Sequence, residues 1–394
     1  DPELMGCFGV GLLAKKKFEE GLLEKSSFSL DDILTKNITT DSVFTCKACD
    51  NLCPIRRMEV SGRKYSFGGR CSKYTAARRK KTETKTVDYT EIRTEIINDF
   101  CPEQSSFVKA TNLTVGIPKA FSFHSLLPFY SWYFHILGVP IVISDEISKK
   151  GIAKVESSYC FPAEIAHGAV QNILDKNVDF IFLPHFANMP TMEKDVPHGT
   201  LCPLTQGLPY FSKAAFKLSD DKILRPIVDF KHGFAESKKE FEKTAEKLGF
   251  SAEQGGYAYD RAIEKFHEFY SAYKKKGAEI LEEVKANPNK PYVALFGRPY
   301  NAFTKDANMG IPRKFASQGV TVIPFDMIYS QDSEIFPNMY WYYGQQDMKA
   351  VNRVMEIQNL YLCWVSNFSC APDSFMLHYI RWMLGKKPYL VLEI

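Results

Sequence analysis

Val178-Asp179-Phe180-Ile181-Phe182-Leu183 is a short, almost uninterrupted apolar run. A strand that alternates polar and apolar residues keeps one face in water. A run like this one is covered on both faces, as in parallel sheets flanked by helices. Working outward, Leu113–Ile117 and Val139–Ser144 read as neighbouring strands, and Phe121–Leu137 and Glu164–Leu174 as the helices between them. The same rhythm returns later. Tyr292–Phe296, Val320–Pro324, Leu360–Val365 and Tyr389–Ile394 read as strands, and Pro312–Gln318, Met348–Ile357 and Ser374–Leu384 as helices. Strand–helix alternation of this kind predicts an α/β fold with two Rossmann-like parallel-sheet domains.

Between the two domains, Glu236–Leu248 and Tyr259–Val284 carry apolar residues every three or four positions among many Lys and Glu. They read as amphipathic helices forming an insertion or bridge. A short echo links the halves: Gly116-Ile117-Pro118-Lys119 precedes Gly138-Val139-Pro140, and Gly310-Ile311-Pro312-Arg313 precedes Gly319-Val320. Residues 1–40 read as a helical piece with a linker, 41–85 as a small metal module, 110–220 as the first α/β domain, 221–290 as the helical bridge, and 291–394 as the second α/β domain. Leu4–Leu13 at one end and Tyr389–Ile394 at the other are apolar runs without a flanking cap, so the chain reads as a piece of a longer polypeptide.

The 394 residues are 45% hydrophobic, 24% charged and 14% aromatic, with a net charge of +4. That charge is too mild to mark a nucleic-acid binder. No apolar stretch approaches the ~18–20 residues of a membrane span, and the start lacks the pattern of a signal peptide. The chain therefore reads as cytoplasmic. In a reducing compartment its ten cysteines are expected to hold metal rather than form disulfides.

Cys46-x2-Cys49-x3-Cys53, followed by Cys71 after Gly68-Gly69-Arg70, puts four thiols in one short module. Such a set suits an iron–sulfur cluster or zinc. One CxxC rather than two, with Pro54 behind Cys53, leans toward [4Fe–4S], and zinc is the alternative. The many Lys and Arg around it, Arg56, Arg57 and Arg78 among them, read as a solvated face offsetting thiolate charge or docking an acidic partner. A zinc ribbon that recruits nucleic acid or protein, with a non-catalytic α/β body, is the competing reading. Three more cysteines, Cys160, Cys202 and Cys370, each precede a helix or apolar segment with proline one or two residues on. Loops at strand carboxyl ends share one crevice in such folds, although isolated buried thiols are the commoner state of cysteine. Arg298 and Tyr300 follow a strand and would point into that crevice. His167 reads as a proton donor or a structural histidine, and Asp373-Ser374 as a helix-capping pair.

Several motifs run in order from Leu113 to Ile394: Gly116-Ile117-Pro118-Lys119-Ala120, Cys160-Phe161-Pro162 with His167-Gly168, Phe182-Leu183-Pro184, Cys202-Pro203, Gly297-Arg298-Pro299-Tyr300, Asn308–Pro312, Tyr340-Trp341, and Asn367-Phe368 through Ser374. With them the chain resembles the 2-hydroxyacyl-CoA dehydratase family, in its activase-fused branch. Residues 2–6 look like the last helix of an activator's ATPase domain, and the four-cysteine module like the segment that joins the two parts. The resemblance implies [4Fe–4S] clusters on Cys46, Cys49, Cys53 and Cys71 and on Cys160, Cys202 and Cys370. A double cubane would need further thiolates, of which Cys363 could supply one. It also implies an activator ATPase, in cis or in trans, that supplies low-potential electrons for anaerobic metabolism. The chemistry implied is dehydration or reduction of a small or acyl-CoA substrate, with Arg298, Tyr300, His167 and Ser374 as candidate catalytic residues. Self-association into a homodimer is left open. Here the family's Cys-Gly-Pro-Asp-Ser reads Cys370-Ala371-Pro372-Asp373-Ser374, which keeps the ligand.

Overall fold

The computed structural model describes residues 4–23, 31, 35, 37–47, 52–60, 62–69, 74, 86–103, 108–158, 160–190, 199–330 and 336–394. The chain divides into two compact units, Asp1–Lys81 and Thr82–Ile394.

The first unit holds helix α1 (Met5–Glu19) and a three-stranded antiparallel sheet of β1 (Ile38–Thr45), β2 (Pro54–Val60) and β3 (Arg63–Phe67). The sequence reading placed a polar linker where β1 lies. Every residue of β1 but one is exposed, so the strand carries no apolar face from which to read a period of two. Its order comes from pairing with β2, whose Ile55 is fully buried.

The second unit contains two parallel sheets of the same topology. Helix α2 (Tyr89–Asp99) leads in, with the Asp88 side chain accepting from the Thr90 amide. The first sheet then forms from β4 (Val115–Ile117), α3 (Phe123–Ile136), β5 (Ile141–Ile143), α4 (Lys149–Ile152), α5 (Phe161–Asp175), β6 (Phe180–Phe182), β7 (His185–Asn188), α6 (Pro203–Phe216), β8 (Ile223–Leu224) and β9 (Ile227–Asp229). Its order is β5-β4-β6-β8, and β7 pairs with β9 beside it. Helices α7 (Lys238–Lys247) and α8 (Ala252–Ala286) follow. The second sheet forms from β10 (Tyr292–Phe296), α9 (Pro299–Ala302), α10 (Ile311–Ala316), β11 (Thr321–Pro324), α11 (Phe325–Ile328), α12 (Tyr342–Glu356), β12 (Leu360–Ser366), α13 (Ala371–Leu384) and β13 (Tyr389–Glu393), in the order β11-β10-β12-β13. In each sheet the first strand lies between the second and third. The chain therefore winds outward in both directions and leaves a crevice at the carboxyl ends of β4/β6 and of β10/β12.

Helix α8 starts on a capping box between Ser251 and Gln254 and ties the halves together. Near its start Tyr259 and Phe266 pack edge-on to Phe129 of α3, at ring distances of 5.6 and 6.4 Å. Toward its end Gly277 lies so close to Met327 of α11 that an added Cβ would sit 1.9 Å from the Met327 carbonyl oxygen. The polar exterior and apolar stripe of α8 thus belong to a strut buried along one side. No helix among the described residues is long and apolar enough to cross a membrane.

Candidate functional site

The three cysteines of the α/β part occupy equivalent local positions. Cys160, Cys202 and Cys370 are the residues immediately before α5, α6 and α13, and each of these helices has proline in its first turn. Proline suits that position because its missing N–H would be unpaired there anyway. None of the three side chains caps its own helix, so all three free thiols remain available to a ligand. Each is half-buried. The helix starts bring positive dipole ends and unpaired amides, which favour negative charge nearby.

Arg298 organises the space among them. It follows β10 directly, in a chain turn that only glycine allows. Gly297 has a φ of +118°, and a Cβ there would lie 2.2 Å from the Val365 carbonyl oxygen of β12. The buried guanidinium donates through Nη2 to Asp373 Oδ2 at 3.1 Å and to Asn367 Oδ1 at 3.3 Å. Nη1 lies 3.4 Å from the Tyr300 hydroxyl. Asp373 Oδ2 also accepts from Ser366 Oγ at 2.6 Å. Arg298 Nε has no hydrogen-bond partner among the described residues. Burial alone would push the guanidinium down, but Asp373, Tyr300 and Cys370 outweigh it and hold Arg298 well above its ordinary value. It is a permanent cation.

Electrostatic reach shows what the crevice brings together. Burial pushes the Cys370 thiol up to about 12, against the pull of Arg298. Burial likewise raises Cys160, with Arg298 opposing and Cys202 adding to the rise. The Tyr300 hydroxyl is raised by burial, against Arg298 and with a contribution from Cys202. Its ring meets Phe121 edge-on at 5.3 Å. Cys160, Cys202, Cys370, Arg298, Tyr300 and Asp373 therefore form one electrostatic neighbourhood. Burial favours the neutral thiols of Cys160 and Cys370, and an anionic thiolate there needs a cationic partner.

The other sequence candidates lie elsewhere or outside. His167 is buried on α5, with Nδ1 2.7 Å from the Ala163 carbonyl oxygen and its ring stacked on Phe211 at 4.8 Å. Ser374 is exposed, and its hydroxyl donates to the Cys370 carbonyl oxygen at 2.9 Å. Cys363 is buried in mid-strand β12, and burial by itself pushes its thiol up to about 12. No crevice group acts on it. In the first unit the Cys46 amide donates to the Cys53 carbonyl oxygen at 2.9 Å, closing the β1–β2 loop. Cys49 and Cys71 lie outside the described residues. No three His, Cys, Asp or Glu side chains among the described residues stand close enough to hold one metal ion.

Sequence reasoning missed Asp347. It is buried on α12, and its Oδ1 has no hydrogen-bond partner among the described residues. Burial and then Asp373 push its carboxyl well above the usual range, against Arg298. The folded chain thus keeps a proton that the unfolded chain releases near pH 4. This group's contribution to stability falls as pH rises from that value toward the folded one. Asp347→Asn is expected to flatten that fall. Urea midpoints measured from pH 5 to 8 should show the variant gaining on the parent as pH rises, and a constant difference would contradict the buried-acid assignment.

A family model described as a CoA enzyme activase uncharacterised domain matches residues 114–328. No curated protein matches the chain. Among solved structures, the C-terminal domain of glucosamine-fructose-6-phosphate aminotransferase from Francisella tularensis is similar over 77% of this chain and 86% of its own, at 10% identity and a TM-score of 0.20.

Proposed function

The chain belongs to the CoA enzyme activase uncharacterised-domain family, whose model spans more than half of it, and on that premise we propose that it is the iron–sulfur component of an ATP-driven, low-potential electron-transfer system. In this reading it takes electrons from an activator ATPase and dehydrates or reduces a small or CoA-linked substrate, in the manner of a 2-hydroxyacyl-CoA dehydratase. The observation that carries the reading is three unused thiols, each placed at a helix start, around one buried arginine.

The donor set fits a [4Fe–4S] cluster held by Cys160, Cys202 and Cys370. Thiolates are the ligands such clusters take. Arg298 and three helix N-termini offset the charge of a thiolate-bound cluster. When bound, the cluster would supply one-electron chemistry and an iron position without a protein thiolate. The chain's own residues would do the rest. Arg298 fixes an anionic or carbonyl oxygen with its free Nε–H, Asp373 and Asn367 orient the guanidinium, and the raised Tyr300 hydroxyl holds its proton for donation to an oxygen in the crevice. Phe121 and Tyr343 close off solvent behind Tyr300.

The first cysteine set is assigned a separate metal. Cys46 and Cys53 face one another across the loop of a hairpin, a placement that serves zinc as well as a cluster. Cys53→Ser is expected to remove the metal of this module and leave that of the crevice. Metal analysis of the variant reads both, and unchanged totals would remove Cys53 from the ligand set.

The functional reading is tested by reducing the anaerobically isolated chain with titanium(III) citrate and adding a 2-hydroxyacyl-CoA. Bleaching of the visible band, with enoyl-CoA or a reduced acyl-CoA formed on substrate addition, is the expected result. A chain without a band to bleach would overturn the proposal.

A further inference from the structure

Lys119 ends the Gly116-Ile117-Pro118-Lys119 run, yet the crevice chemistry leaves it unused. It follows β4, and its amide donates to Ser144 Oγ at 2.8 Å. Both residues line a cavity of about 750 Å3 outside the carboxyl ends of β4 and β5. Phe303 and Thr304, directly after α9, form the facing wall. That wall is fixed in advance. Buried Asn308 donates to the Ala302 carbonyl oxygen at 3.1 Å and accepts from the Gly310 amide at 2.9 Å. A preformed, partly apolar hollow of this volume is the usual shape of a small-molecule site.

The inner part of the lining carries Arg93, Lys119 and His124, beside half-buried Asp88, whose carboxylate accepts from the Thr90 amide, and the exposed part carries several carboxylates together with Lys305 and Arg313. Arg93 is buried and committed to Asp326 at 2.8 Å. Lys119 is half-buried, and its ammonium makes no hydrogen bond or ion pair among the described residues. Burial pushes it below its ordinary value, Arg93 adds to the fall, and Cys101 and Asp306 oppose it. His124 beside it is held well below its usual value by burial, Lys119 and Arg93, against a hydrogen bond to the Lys119 backbone that engages the neutral ring. On the exposed side stand Glu91, Glu95, Glu146 and Asp306, with Asp145 already paired to Lys176 at 2.9 Å.

A desolvated ammonium with no close ion pair among the described residues is costly, and a bound anion would relieve it. We propose that this cavity is a second ligand site, taking the carboxylate or phosphate monoester of a small metabolite against Lys119, beside the neutral His124 ring. The apolar body of the ligand would lie on Phe303 and Ile97. The exposed Glu91, Glu95, Glu146 and Asp306 outnumber the exposed Lys305 and Arg313 and so disfavour extended polyanions by like-charge repulsion, and the preferred ligand carries a single oxyanion group. The site does not depend on the cluster, and the same binding is expected whatever the metal content. Failure here is therefore separable from failure of the functional reading.

The test is calorimetric titration of the intact chain with inorganic phosphate and, separately, with butyrate. Saturable binding of at least one is expected, and which one binds tells phosphate from carboxylate. Lys119→Met should weaken it about ten- to hundredfold, Lys119→Arg should retain most of it, and the thermal midpoint of Lys119→Met should stay level or rise. Absence of binding by both anions, or equal binding by Lys119→Met, would overturn the proposal.

Discussion

Replacing Cys370 with alanine is expected to strip the crevice of its iron and sulfide and to abolish every activity that depends on them, while the chain stays folded. The residue sits immediately before α13 and its side chain makes no capping bond. The helix therefore loses none of the roughly 1 kcal/mol that a capping serine or aspartate would contribute. The half-buried thiol leaves behind only a small void, so the thermal midpoint should move little. Cys363→Ala is the contrasting change. That thiol is 1% exposed in mid-strand, and its loss should cost about 1 kcal/mol of stability through a core void with iron content intact. Iron and sulfide that survive in Cys370→Ala, or vanish in Cys363→Ala, would remove the crevice assignment.

Arg298→Met is expected to be the most destabilising single change in the second half of the chain. The Arg298–Asp373 pair is almost wholly buried. Removing the cation leaves the buried Asp373 carboxylate supported by the Ser366 hydroxyl with no cation to offset its charge and with buried Asp347 acting on it. Breaking a buried pair from one side costs about 3–5 kcal/mol, which should lower the urea midpoint markedly. The double change Arg298→Met/Asp373→Asn should cost clearly less than the sum of the two single changes, because the stranded charge is gone. Additive losses, or a single-variant loss below about 1 kcal/mol, would show that the pair is effectively solvated.

The strands of both sheets except β8, which no apolar run of useful length marks, were legible because their residues are largely apolar, as at Leu360–Ser366, where every residue but one is buried. The sheet order followed from nothing in the residues. Its repetition in both halves gives substance to the short Gly-Ile-Pro echo. Helix α12 begins six residues before the Met348 that sequence reading assigned as its start. The extra turns bury Gln345, Gln346 and Asp347, which carry no apolar period. Their order comes from specific bonds, such as Gln345 Nε2 to the Met339 carbonyl oxygen at 2.7 Å. Helix α2 was readable in principle, since Asp88 stands three residues before Glu91 in the manner of a cap.

At the site, sequence found the thiols and Arg298, because each stands beside a proline in a short motif. It could not find their partners. Asp373 reaches Arg298 across 75 positions and Asp326 reaches Arg93 across 233. Pairing at such separation is a property of the fold, and neither acid carries a local signal of it. The same holds for Lys119, whose isolation emerges only once the surrounding walls are in place.

The central claim is that thiolates of this chain hold iron–sulfur clusters. Its most direct test is the iron, acid-labile sulfide and zinc content of the anaerobically purified chain, read together with its visible spectrum. The expected result is a brown protein with iron and sulfide in equal amounts. A colourless protein that carries zinc alone, or neither iron nor sulfide, would contradict it.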